Sequence, residues 1–198
     1  MLKLYKKEGI NMKVTIGVSN RHVHLTEEDF LVLFGSDASL TKFKDINQPG
    51  QYACLERVDI KSDKGIIKGL RILGPFRSYT QVELSQTDCR TLKIDAPVRL
   101  SGELDGAGVV TIVGPCGEIT RSAAIIADRH IHVTGEDAEK LNLVGVNEVT
   151  VRVDTPKGGE FFHVKVRESE ASFYEMHIDT DDANAFMIDN GQEGEIII

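Results

Sequence analysis

Two histidine pairs in the sequence have the spacing of a metal site. The segment SNRHVHLTEED (19–29) contains His22 and His24, and the segment ADRHIHVTGED (127–137) contains His130 and His132. In a β-strand, residues i and i+2 point to the same face, so both imidazoles of a pair can bind one cation. Neutral histidine nitrogens bind zinc at about 2.1 Å and often share the ion with a carboxylate. Each pair therefore predicts two ligands of one metal ion, with zinc as the expected metal.

Three further residues could complete such a site. His177 precedes an expected helix in YEMHIDTDDAN (174–184), and Glu83 follows Arg77 by six residues in LGPFRSYTQVELS (73–85). An arginine beside a metal suits a phosphate or carboxylate substrate, because its planar fork binds oxyanions bidentately. The residue pattern of Glu83 and Arg77 fits an exposed salt-bridging pair equally well, and that alternative stays open. His163 and Cys116 are interpreted as structural, because neither belongs to a repeated or catalytic pattern.

The two histidine pairs belong to an internal repeat. His22 and His130 are 108 positions apart, and the same offset links Thr26 to Thr134 and Asp29 to Asp137. In each copy the threonine is expected to cap a short helix, with aspartate in place of the usual glutamate of a capping box. The repeat predicts two similar halves, each a small β unit.

Short runs rich in Val and Ile alternate with Gly, Pro, Asn and Asp, which predicts many short strands, for example at 96–104 (APVRLSGEL). A third helix is expected within 179–191, ending at Gly191. The predicted fold class is mostly β, with two small, internally repeated β-barrel domains and short capping α-helices, rather than a doubly wound sheet.

Composition excludes several classes of protein. The 198 residues suit one medium domain or two small ones, and the net charge of −8 argues against a nonspecific nucleic-acid binder. No apolar run is long enough to cross a bilayer, and residues 1–12 lack the pattern of a secretory signal. The three cysteines form no CxxC pair, so reduced thiols in an intracellular protein are expected.

Four segments, RHVHL, LGPFRSYTQVE, RHIHV and EMHIDTDDAN, together resemble the PduL-type phosphate propanoyltransferases, or phosphotransacylases. The resemblance extends from residue 14 to residue 198. It implies two β-barrels with a dinuclear zinc site between them. It also implies a first barrel of residues 13–20 plus 128–198, a second barrel of residues 21–127, and an N-terminal extension of residues 1–12.

The resemblance also implies the roles of the site residues. His22, His24 and Glu83 would hold one Zn²⁺, while the other would be held by His130, His132 and His177. Arg77 would be a catalytic residue that binds phosphate. The implied reaction converts a short-chain acyl-CoA (propanoyl-CoA, and also acetyl-CoA) plus phosphate to acyl phosphate plus CoA, by direct attack of phosphate.

The implied location is the cytoplasm or the lumen of a bacterial microcompartment, in propanediol degradation, without nucleic-acid or membrane partners. Contacts with a microcompartment shell or cargo, and homo-oligomerisation, stay open, because residues 1–12 are shorter than the extension of targeted members. Two rival interpretations also stay open. One is a cupin-type barrel with a single iron ion, and the other is a non-catalytic scaffold in which the metals are structural.

Overall fold

The computed structural model describes residues 12–198, and residues 1–11 of the predicted extension lie outside the described residues. Residues 12–198 form the following strands: β1 (Met12–Ser19), β2 (His22–His24), β3 (Lys42–Asp45), β4 (Tyr52–Lys61), β5 (Ile66–Gly74), β6 (Gln81–Leu84), β7 (Val98–Arg99), β8 (Gly108–Val113), β9 (Glu118–Ala127), β10 (His130–Val133), β11 (Glu148–Val153), β12 (Gly159–Glu168), β13 (Glu175–Asp179) and β14 (Glu193–Ile197). They also form four helices: α1 (Glu27–Phe34), α2 (Gln86–Leu92), α3 (Gly135–Lys140) and α4 (Thr180–Phe186).

The first barrel, called ring A here, is closed by six strands in the order β1-β13-β10-β12-β11-β14. Its strands alternate inward and outward residues: in β11, Val149, Val151 and Val153 are buried and the residues between them are not. These valines join Val14, Ile16 and other apolar side chains in a core that contains only ring A and its helices. Burial of this inward row is what favours a barrel here over a flat sheet.

The second barrel, called ring B, closes in the order β2-β5-β4-β8-β9-β6, with β8 joining β4 to β9. Strands β3 and β7 extend this ring at β4 and β9. A separate apolar core fills ring B and includes Phe30 of α1 and Leu92 of α2. The predicted fold class, mostly β with two small barrels and few short helices, is confirmed.

The two rings repeat one pairing pattern. In ring B, β2 pairs in parallel with β5 and antiparallel with β6; in ring A, β10 pairs in parallel with β12 and antiparallel with β13. The strand that precedes each histidine pair lies in the opposite ring, since β1 belongs to ring A and β9 to ring B. The chain thus passes between the rings just before each pair. The predicted domain bounds stay a prediction. Strand β1 begins at Met12, which the prediction assigned to the N-terminal extension.

Helices α1 and α3 begin where their caps predicted. The Thr26 and Thr134 hydroxyls accept from the backbone N–H groups of Asp29 and Asp137, each at 3.1 Å. Only the second copy is a full capping box, in which the Asp137 carboxylate accepts from the Thr134 backbone N–H at 3.0 Å. The Asp29 carboxylate instead accepts from Thr80 Oγ1 at 2.5 Å and from the Arg121 guanidinium.

Two expectations about secondary structure were wrong, and one helix was not predicted. Helix α4 ends at Phe186 rather than near Gly191, because Met187 turns left-handed (φ 54°) and the Ile188 N–H returns to the Ala183 carbonyl at 2.9 Å. The predicted strand at 96–104 is reduced to β7, because the chain turns at Gly102 (φ 102°). Helix α2 was not expected at all. Every helix within residues 12–198 is too short or too polar to span a membrane.

Candidate metal centre

The structure brings all seven predicted site residues to one cavity of about 260 Å³. Residues of both rings line this cavity, which we call the metal cleft. Its lining includes the residues predicted to bind metal or phosphate, namely His22, His24, Arg77, Glu83, His130, His132 and His177. The six predicted metal ligands fall into two groups of three, and within each group the ligand atoms lie within 4.8 Å of one another.

The first group is buried and contains one carboxylate. His22 Nε2 lies 3.3 Å from Glu83 Oε2, and His24 Nε2 lies 3.9 Å from Glu83 Oε1. The two imidazoles meet edge to face, with ring centroids 5.0 Å apart. Glu83 is 9% exposed, so the open alternative of an exposed salt-bridging pair with Arg77 does not hold. One carboxylate oxygen and two imidazole nitrogens can converge on one cation here.

The second group consists of three histidines. His130 Nε2 lies 3.1 Å from His132 Nε2, and the His177 ring centroid lies 5.3 Å from that of His130 and 4.8 Å from that of His132. All three ring pairs meet edge to face, and one nitrogen of each ring lies within 4.8 Å of a nitrogen of each of the others. His163, interpreted as structural, lies outside the cleft and contacts Glu148 on the surface.

The predicted third ligands, Glu83 and His177, occupy equivalent places in the two rings. Glu83 lies opposite His22 in the β2–β6 pairing, and His177 lies opposite His130 in the β10–β13 pairing. Each third ligand is followed by a seven-residue helix with a left-handed C-cap, α2 after Glu83 and α4 after His177. The repeat therefore includes 83–95 (ELSQTDCRTLKID) and 177–189 (HIDTDDANAFMID), at an offset of 94 positions. This second offset was the missed signal for α2.

A metal ligand must be a neutral imidazole or an ionised carboxylate, and most predicted ligands of the cleft are held in that form. His22 differs: burial alone would lower its pKa, but Glu83 raises it overall, so a cation would displace a proton there. Burial, followed by the charge of His22, lowers the pKa of His24 to about 3. Burial likewise lowers the pKa of His130 to about 4 and the pKa of His132 to about 3. Burial alone would raise the pKa of Glu83, but the neighbouring His22 and His24 lower it overall, so the carboxylate is ionised. The donor set thus fits a divalent cation.

Arg77 is held at the cleft by neutral acceptors. Its Nη1 donates to Tyr79 Oη at 2.9 Å and to Ser101 Oγ at 3.3 Å, and its Nη2 donates to Gln51 Oε1 at 3.0 Å. Within residues 12–198, Nε and the second Nη2 proton have no acceptor. Two N–H donors of the guanidinium are therefore available to an oxyanion. Sequence patterns did not indicate Gln51 or Ser101, because they lie 26 and 24 positions from Arg77 along the chain and meet it only in the folded structure.

A larger cavity of about 670 Å³, called the basic cavity, adjoins the metal cleft. The two cavities share lining residues that include His22, Ile46, Leu73 and His177. The charged lining of the basic cavity is mainly positive and includes Arg21, Lys44, Arg57, Lys68 and Arg71. Its carboxylates within the described residues are Asp45 and Glu175. This cavity can accept an anionic ligand larger than phosphate. No sequence pattern indicated it, since its basic residues are dispersed.

Comparison with protein families matches residues 15–189 to the family described as phosphate propanoyltransferase. A relative of that name from Rhodobacter capsulatus is 48% identical over 178 residues, which is 89% of this chain and 83% of the relative. Relatives of the same name from Clostridioides difficile and Levilactobacillus brevis are 44% and 41% identical, over 97% and 98% of this chain and 91% and 94% of their own lengths.

The chain belongs to the phosphate propanoyltransferase family. The resemblance predicted from the four sequence segments is confirmed. The part of the chain that matches the phosphate propanoyltransferase family contains all seven predicted site residues and most of both rings.

Proposed function

We propose that this protein interconverts a short-chain acyl-CoA plus phosphate with acyl phosphate plus CoA, using two bound zinc ions. The observation that carries the proposal is the metal cleft itself. Arg77, with two N–H donors unused, lines the same cavity as two three-residue groups, and a larger basic cavity adjoins it. Family membership supports the reaction, because the relatives carry the name phosphate propanoyltransferase.

His22, His24 and Glu83 would hold one zinc ion, and the three-histidine group would hold the other. Three protein ligands per ion leave a coordination position open, as in catalytic rather than structural zinc sites. When bound, zinc supplies Lewis acidity toward oxygen and a position that a thiolate sulfur can occupy. Two separate groups also argue against the cupin-type interpretation, which needs a single iron site.

Arg77 would bind the phosphate substrate. Its free Nε and Nη2 protons form the bidentate edge that matches two phosphate oxygens, while Tyr79, Ser101 and Gln51 fix the orientation of the guanidinium. Fixing phosphate in this way lowers the entropic barrier of the reaction. The positive charge of Arg77 also offsets the repulsion between phosphate and a developing oxyanion.

The basic cavity would bind CoA. The diphosphate and ribose phosphate of CoA need several cations, and Lys44, Arg57, Lys68 and Arg71 line this cavity. The thioester would then reach the shared lining at Ile46 and Leu73, next to His22 and His177. An acyl chain one methylene shorter changes binding by only about 1–3 kcal/mol, so acetyl-CoA is proposed as a second substrate.

The chemistry is a direct transfer between the two substrates. A phosphate oxygen attacks the thioester carbonyl carbon, the carbon–sulfur bond breaks, and the thiolate takes up the proton of hydrogen phosphate. None of the three cysteines, Cys54, Cys89 and Cys116, lines the metal cleft, so no thiol nucleophile is placed for a covalent intermediate there. Isolation of a stoichiometric acyl-enzyme after exposure to propanoyl-CoA alone would contradict direct transfer.

The proposal is tested by following release of free CoA thiol from propanoyl-CoA with and without phosphate. Release that requires phosphate, with formation of acyl phosphate, is the expected result. Release at the same rate without phosphate would indicate a thioesterase instead. No release from propanoyl-CoA or acetyl-CoA by the metal-loaded protein would favour the scaffold interpretation.

The cellular setting is a separate part of the proposal. Microcompartment association, propanediol degradation and homo-oligomerisation rest on the resemblance alone. Co-sedimentation with intact microcompartments from propanediol-grown cells tests the first two, and light scattering of the purified protein tests the third.

A further inference from the structure

Glu175 lies beside the three-histidine group without belonging to it. Its carboxylate Oε2 lies 2.9 Å from His177 Nε2, and its Oε1 accepts from Asn47 Nδ2 at 2.8 Å. The residue is 5% exposed. Both oxygens of a buried carboxylate are thus used, one on a predicted ligand of ring A and one on a loop of ring B.

A metal-binding histidine usually donates its other ring N–H to a carboxylate or backbone carbonyl, which fixes the ring. His22 and His130 meet this requirement through Nδ1, which lies 2.8 Å from the Asn20 and Asp128 carbonyls, respectively. His177 has no such carbonyl contact among the described hydrogen bonds, and Glu175 takes its place at Nε2. This assignment leaves Nδ1 of His177 for the cation.

The equivalent position in ring B supports the same interpretation. Glu175 lies opposite His132 in the β10–β13 pairing, and Gln81 lies opposite His24 in the β2–β6 pairing. Gln81 Nε2 donates to Glu83 Oε1 at 2.7 Å. In both rings, the residue two positions before the third ligand therefore holds that ligand. The chemistry suits each predicted ligand. In ring B the Gln81 amide donates to the Glu83 carboxylate, and in ring A the Glu175 carboxylate accepts from the His177 imidazole.

Two neighbours keep Glu175 in place. Asn47 belongs to the 46–51 loop of ring B. Gln48 of the same loop also contacts ring A: its Nε2 donates to the Phe173 carbonyl at 3.0 Å, and its Oε1 accepts from the Phe173 N–H at 3.2 Å. Gly17 of β1 lies opposite His177. A Cβ at Gly17 would lie 2.9 Å from Glu175 Cδ and 3.1 Å from His177 Cδ2, so glycine leaves room for this pair.

We propose that Glu175, held by Asn47, is a positioning residue that orients His177 toward the cation of the three-histidine group. Through Asn47, the 46–51 loop of ring B then contributes to metal binding in ring A. This inference rests on the proposed function, because it takes the three histidines as zinc ligands.

The test measures the affinity of both zinc ions by chelator competition, starting from chelated and reloaded protein. Glu175→Ala is expected to weaken one of the two ions by about 10–100-fold and to leave the other unchanged. Glu175→Gln keeps an acceptor for His177 and is expected to bind both ions within a few-fold of wild type. The matched control is Glu148→Ala, which removes another carboxylate that contacts a histidine of ring A, the exposed His163, at 2.9 Å.

Two further variants keep the test usable if Glu175→Ala does not fold. Asn47→Ala removes only the support of Glu175, and Gly17→Ala pushes on the pair without removing a polar group; each is expected to weaken the same single ion. Unchanged zinc affinities in Glu175→Ala would overturn the inference, and so would an equal loss of affinity for both ions. If Glu175→Ala does not fold, the same outcomes in Asn47→Ala and Gly17→Ala decide. A wild-type protein that binds fewer than two zinc ions would instead contradict the proposed metal centre.

Discussion

Replacement of Arg77 by alanine is predicted to reduce turnover mainly through phosphate. Its guanidinium has five N–H donors, and three of them are bonded to Tyr79, Ser101 and Gln51. The other two, on Nε and Nη2, are available to phosphate. A hydrogen bond to a charged group contributes about 1.5–3 kcal/mol. Loss of two such bonds corresponds to about 3–6 kcal/mol, or roughly 10²- to 10⁴-fold in kcat/KM for phosphate.

The conservative variant separates geometry from charge. Arg77→Lys keeps a positive charge but loses the bidentate fork, so about half of the free-energy loss is expected, or roughly 10- to 100-fold. The matched control is Arg152→Ala, an exposed arginine of ring A that pairs with Glu160 and does not line either cavity. It should leave the kinetics unchanged.

The assay is thiol release from propanoyl-CoA, with each substrate varied in turn while the other is saturating, and zinc content is measured for each variant. The KM for propanoyl-CoA should change much less than the parameters for phosphate. A kcat/KM for phosphate within three-fold of wild type in Arg77→Ala would refute this role of Arg77. An equal loss in Arg77→Lys and Arg77→Ala would refute the bidentate geometry.

Two further predictions concern stability. Burial lowers the pKa of His24, His130 and His132 from the ordinary 6.5 to about 3, 4 and 3, respectively. The stability that these neutral imidazoles contribute is therefore present above pH 6.5 and is lost as the pH falls toward those values. Each of these three histidines should lower the unfolding free energy of the chelated protein by about 2 kcal/mol between pH 7 and pH 5. The raised pKa of His22 offsets part of this loss. An unchanged urea midpoint between pH 7 and pH 5 would contradict the prediction. Asp29→Ala removes the buried acceptor of Thr80 and Arg121 and should cost about 1–3 kcal/mol of unfolding free energy, while Asp37→Ala, at an exposed carboxylate, should cost little.

Local sequence patterns indicated the two histidine pairs because the geometry of each pair is local. An HxH pair places two imidazoles on one strand face whatever the fold, and the 108-position repeat indicates that this happens twice. The caps at Thr26 and Thr134 are local for the same reason. Closure of each ring, in contrast, depends on pairings such as β1 with β14, which are distant along the chain.

The residues that support the site could not be found in this way. Asn47 and Glu175 are 128 positions apart and meet only because the 46–51 loop of ring B crosses to ring A. Helix α2 was missed because its equivalence with α4 follows the offset of 94 positions rather than 108. The two offsets differ because the segment between the second histidine and the third ligand is longer in ring B than in ring A.

The most direct test of the central proposal is a zinc titration of the chelated protein, followed by phosphate-dependent thiol release from propanoyl-CoA. The proposed metal centre predicts that activity is lost on chelation and returns fully as the second zinc ion per chain binds. Full phosphate-dependent activity in protein shown to contain no metal would contradict it.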